Sequence, residues 1–124
     1  MNASCTPDPE APGTGPSREA TFLVTDDMVT RHTASSVLST PDMVRLVERT
    51  CHQLLADTDS RPSVGVHICI SHRRPVRLGD EVVVSARLSP TATRRCHFEV
   101  VVSTTAGEVG RGTHDRVLLA ADQG

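Results

Sequence analysis

A chain of 124 residues and 13.3 kDa holds one domain, with no room for two independent cores. Its formal charge of −2 lacks the basic excess that holds nucleic acid, and Phe22 and Phe98 are too few large aromatics to stack single strands. All 13 basic residues are Arg, so Lys-dependent Schiff-base chemistry is excluded.

Residues 1–18 carry Pro7, Pro9, Pro12 and Pro16 with little to bury, and read as a disordered N-terminal extension ahead of a domain at 19–124. No apolar signal segment opens the chain, and no apolar run nears the roughly 20 residues of a membrane span. Cys5, Cys51, Cys69 and Cys96 show no CxxC spacing. Together these features read as a reduced, cytoplasmic protein without membrane association.

A short strand is expected over residues 20–25. Thr40, Pro41 and Asp42 then form a helix-start signal, with Thr40 as the N-cap. Met43, Leu46, Val47, Cys51, Leu54 and Leu55 follow at helical spacing, which predicts a helix ending near Ala56. Strands are expected at 63–72, 81–88, 95–104 and 108–120, with turns at Gly79 and Gly107. One helix and a run of strands make an α+β domain, its helix covering one face of an antiparallel sheet. Such a sheet leaves edges open, which dimerisation would close.

Three polar residues stand out. Glu48 sits at the border of the helix's apolar stripe, where it is either a flank residue paired with His52 or a carboxylate turned toward the sheet. His72 continues the parity of Val64, Val66, Ile68 and Ile70, which would aim it at the helix-covered face unless the strand ends first. Thr40, besides its capping role, lies beside free N–H groups suited to a thioester oxygen. His67, Cys69 and His72 spell HxCxxH, but strand alternation separates them onto two faces, so no zinc site is expected. Arg73, Arg74 and Arg77 form one basic cluster and Arg94 with Arg95 another. Both suit solvated strand ends, or the phosphates of a substrate or an acidic carrier protein.

The segments VLSTPDMVRLVE, SVGVHICISHRRPVRLGDEV and GEVGRGTHDRVLL, taken in this order, resemble the small hotdog-fold thioesterases related to fluoroacetyl-CoA thioesterase. The resemblance covers roughly residues 19–120. It implies a hotdog fold, one long helix wrapped by an antiparallel sheet, dimerising through sheet edges. It implies Thr40, Glu48 and His72 as catalytic residues, and Gly65 as the point where the thioester carbonyl approaches the backbone. His114 and Arg116 match its late motif, the role of His114 staying open; substrate binding falls to Gly65 and Arg116, and Arg73 and Arg74 are added to it from their charge and not from the resemblance. The implied reaction is hydrolysis of an acyl-CoA or acyl carrier protein thioester to free acid and thiol, by a homodimer. It calls for no metal or redox cofactor, coenzyme A or phosphopantetheine being part of the substrate. The alternative is a non-catalytic hotdog module that binds an acyl group or supports an assembly. Strand parity and the resemblance agree in bringing Glu48 and His72 to one shared pocket. Two departures are plain: the basic cluster after His72, and the segment before Thr40. The related enzyme has an aromatic lid before its catalytic Thr, whereas TRHTASSVLS has no aromatic residue, which argues against fluoroacetyl selectivity.

Overall fold

The computed structural model describes residues 15–30, 35–90 and 93–120. In chain order these form β1 (Ser17–Leu23), β2 (Val29–Thr30), β3 (Val37–Leu38), α1 (Thr40–Thr58), β4 (Ser63–Ile70), β5 (Glu81–Leu88), β6 (Arg95–Thr104) and β7 (Gly107–Leu118), with a 3₁₀ turn at Asp26–Met28. Most of the expected N-terminal extension lies outside the described residues. β1 begins at Ser17, slightly ahead of the boundary at 19.

Apolar alternation in β5 and β6 determines which face is buried. Val82, Val84, Val100 and Val102 are fully buried on one side of the sheet, as is Phe98. The sheet is antiparallel with order β1-β5-β6-β7-β4, and β2 and β3 pair separately. α1 lays Met43, Leu46, Val47, Cys51, Leu54 and Leu55 against that face. One long helix on an antiparallel sheet is the α+β arrangement expected. Gly79 turns the chain into β5 at φ +92°, a conformation that side chains disfavour. Among the described residues no helix is long and apolar enough to cross a membrane.

The helix start differs from expectation. Ser39, not Thr40, is the N-cap: its hydroxyl accepts from the Asp42 N–H at 3.1 Å and also bonds the Asp42 carboxylate. Thr40 is the first helical residue, so its own hydroxyl is released from capping. Ser39→Ala is therefore expected to cost about 1 kcal/mol of stability. Urea denaturation reads the loss, and Thr40→Ala should show none of this capping cost.

β4 also departs from simple alternation. Its register against β7 shifts between Gly65 and His67, leaving Val66 as the extra residue of a β-bulge. The bulge separates Val64 from the face shared by Ile68 and Ile70, so the four do not line one face as expected. Val64 and Val66 are instead exposed, at 43% and 47%. β4 is a sheet edge with its outer side unpaired. Cys51 and Cys96 are free and buried.

Candidate functional site

α1 carries Thr40 at its first residue and Glu48 two turns later, about 12 Å further along the helix axis. Each belongs to a different polar group.

At the helix start the Thr40 hydroxyl lies 2.9 Å from His72 Nδ1. The chain around His72 is held to β7 on both sides, Ser71 N–H donating to the Arg111 carbonyl at 3.0 Å and Arg73 N–H to the Val109 carbonyl at 2.8 Å. Partial burial lowers the His72 pKa, with the Arg74 backbone opposing it. The imidazole is thereby favoured in its neutral form, whose Nδ1 can accept the Thr40 proton. The pair opens on a cavity of about 310 Å³ that Arg73 and Arg74 also line. Neither guanidinium is buried, and that of Arg74 donates to the Glu108 carbonyl at 3.3 Å.

Further along the helix, Glu48 faces Gly65. Gly65 pairs with Arg116 across the β4–β7 ladder and turns its absent side chain toward α1. A methyl group there would lie 3.1 Å from His114 Cε1, 3.4 Å from Arg116 Nη1 and 3.4 Å from Glu48 Oε2. Three polar side chains thus converge on a position kept empty by glycine. His114 is fully buried and donates from Nδ1 to the His67 carbonyl at 2.7 Å, which leaves Nε2 to accept from Arg116 Nη1 at 3.3 Å. Arg116 also donates to Ser63 Oγ at 2.9 Å and to the Ser63 carbonyl at 3.3 Å. Burial lowers the pKa of His114, the Arg116 charge adding to the effect. Burial also draws Arg116 below the usual guanidinium range, opposed by the Glu48 charge. The result is a neutral imidazole and a fixed cation beside one carboxylate.

The sequence-derived residues therefore divide. Thr40 and His72 meet, with Arg73 and Arg74 beside them; Glu48, Gly65 and Arg116 meet elsewhere. Among the described residues no hydrogen bond joins Glu48 to His72, so one chain does not bring them to the shared pocket expected. The helical rise between Thr40, beside His72, and Glu48 is the reason. His114, whose role stays open in the sequence, supplies the acceptor that fixes Arg116. The signal for it lay in the alternation of Gly112, His114 and Arg116 along one face of β7. The intervening Asp115 points to the other face. Its burial raises the pKa, but hydrogen bonds from Arg95 and His97 outweigh it and hold the carboxyl below its ordinary value. The burial of Cys51 pushes its thiol up to about 12, so it is not a nucleophile here. Among the described residues no group of three or more His, Cys, Asp or Glu is placed to hold a metal ion.

Residues 23–122 match the family of fluoroacetyl-CoA-specific thioesterases. A curated relative, fluoroacetyl-CoA thioesterase of Streptantibioticus cattleyicolor, is 32% identical over 85 residues, covering 67% of this chain and 61% of its own length. The chain thus spans under two thirds of that relative. A solved variant of the fluoroacetyl-CoA-specific thioesterase FlK, in complex with fluoroacetate and CoA, superposes with a TM-score of 0.77 at 28% identity, covering 85% of this chain and 93% of that one. A hot-dog-like protein from Thermanaerovibrio acidaminovorans gives a TM-score of 0.78 at 19% identity, covering 87% and 84%. That likeness concerns the fold alone, which is the hotdog fold. The chain belongs to the fluoroacetyl-CoA-specific thioesterase family.

Proposed function

We propose that this protein hydrolyses acyl-CoA thioesters to free acid and CoA. One observation carries the reading: the Glu48 carboxylate faces a side-chain-free strand position, with a neutral His114 and a fixed Arg116 around it. A thioester carbonyl has room to approach the backbone at Gly65. Glu48 then acts on the carbonyl carbon, either by taking a proton from attacking water or by attacking directly to form a mixed anhydride that water cleaves. Either way the C–S bond breaks, water supplies the acid oxygen, and the thiolate leaves with a proton. The His72–Thr40 pair serves as proton carrier and hydrogen-bond donor near the helix N-terminus. Arg73 and Arg74 suit the phosphates of CoA, and equally a carrier protein's phosphopantetheine. CoA in the complex of the related structure supports the first of these.

The reading includes a homodimer. β4 is an unpaired edge with Val64 and Val66 exposed, a surface that a second copy of the same strand would cover. Antiparallel pairing about a twofold runs the end of one β4 beside the start of the other. That would bring the His72 pair of one protomer toward Glu48 and Gly65 of the second, joining the two polar groups that one chain keeps apart.

The test is a panel of short and medium acyl-CoAs with detection of free thiol. Release that depends on Glu48 and His72 supports hydrolysis; acyl-CoA binding without release would favour the non-catalytic module instead. With no Phe, Tyr or Trp in residues 30–39, fluoroacetyl-CoA should have no advantage over acetyl-CoA. The pH profile is a second check. Because burial depresses the His72 pKa, the neutral imidazole is present above that pKa and is lost as pH falls through it. The acid limb of kcat/KM attributable to His72 is expected below pH 6.5, and His72→Ala should remove that limb along with most of the rate.

A further inference from the structure

Glu48 also borders a second cavity, of about 590 Å³, between the Asp27–Met28 turn and the outer side of α1. Met28 and Leu46 are the apolar residues of its lining, and its volume accommodates a short acyl chain. The charges around it are not equivalent. Arg45 is tied to Asp42 by a 2.5 Å ion pair, and Asp42 is further engaged by the Ser39 cap. Glu48 has the field of Arg116 behind it. Asp27 accepts from the Thr25 hydroxyl. Arg49 differs: among the described residues it makes no ion pair and no hydrogen bond. Its guanidinium carbon lies 5.7 Å from the centroid of the Phe22 ring, which positions the group while leaving its in-plane N–H donors unused. An unpaired, positioned guanidinium on the wall of an acyl-sized cavity is suited to a carboxylate.

We infer that this cavity receives the acyl part of the substrate and that Arg49 binds a carboxylate at its far end, making the substrate class short ω-carboxyacyl thioesters. The inference rests on the hydrolase reading above and narrows it. Glu48 sits one residue from Arg49 on the helix, so the reacting carbonyl and the anionic terminus would be read by adjacent positions of one rigid element.

Matched pairs of equal chain length test it: succinyl-CoA against butyryl-CoA, and glutaryl-CoA against valeryl-CoA, by free-thiol release. The wild type is expected to favour the carboxylate member by about 10- to 100-fold in kcat/KM, the range of a charge-assisted hydrogen bond. Arg49→Met keeps a long side chain over Phe22 and should bring that ratio close to unity; Arg49→Lys should retain part of it. Equal or better turnover of the uncharged partners by the wild type would overturn the inference. So would a ratio unchanged in Arg49→Met, or a preference for the cationic β-alanyl-CoA, which would assign the site to Asp27. A change in oligomeric mass of Arg49→Met by light scattering would place Arg49 in an interface and overturn it as well. If no thioester is cleaved, the hydrolase reading fails separately. Calorimetric binding of succinyl-CoA against butyryl-CoA then still decides the anion preference.

Discussion

Glu48→Gln is expected to lower kcat/KM by about 10²- to 10⁴-fold with the fold intact, the range spanned by a positioned acid–base group. Glutamine keeps the shape of the side chain and removes the charge that faces Gly65 and Arg116. Circular dichroism and the unfolding midpoint should match the wild type, so the loss can be assigned to chemistry. His72→Ala is expected to fail comparably. The two variants together carry more information than either alone. If Glu48 of one protomer works with the His72–Thr40 pair of another, a mixed dimer of the two variants has one site with both defects and one site with neither. Random exchange should then restore about a quarter of the wild-type rate in the mixture. Unfolding and refolding the variants together, then assaying thiol release, gives the answer. No recovery despite demonstrated mixed dimers would sink the shared-site arrangement and leave the separation of Glu48 from His72 unexplained.

The second large effect concerns stability. Phe98→Ala is expected to cost about 3–5 kcal/mol, the usual range for deleting a fully buried ring. Phe98 faces α1 from the middle of β6, pairs with His114 across the ladder, and stacks on its imidazole with centroids 6.1 Å apart. Phe22 is the only other large aromatic of the chain. The loss should extend to the site. Without that shelf His114 is free to shift, and with it the acceptor that fixes Arg116 beside Glu48. Phe98→Leu keeps most of the volume and should cost less than roughly half as much. Urea denaturation followed by circular dichroism measures both variants. A cost below 1 kcal/mol for Phe98→Ala would mean that the core collapses around the site more readily than its packing implies.

The helix was legible because its apolar residues repeat at a period that only a helix satisfies, and because Ser39 to Asp42 hold both cap and proline signals. The signal could not say which hydroxyl caps. Ser39 and Thr40 are adjacent and chemically equivalent for that task, and the choice follows from where the chain enters from β3. It matters, since the uncommitted hydroxyl is the one that meets His72. Strands β1 and β4 to β7 were legible from β-branched alternation; the two-residue β2 and β3, and the order of strands in the sheet, were not. The pairing of β7 with β4 is a long-range contact with no local signature.

Residue chemistry and local periodicity were thus determined by the sequence alone: one amphipathic helix, a set of alternating strands, and the residue types around which thioester chemistry could be built. The tertiary structure decided the grouping. A single extra residue at Val66 cannot be seen in an alternating pattern, because it arises only when β4 is laid against β7. That bulge sets Gly65 opposite Glu48 and sends Val64 outward. Which side chains share a face depends on pairing register, and register is a property of two strands together.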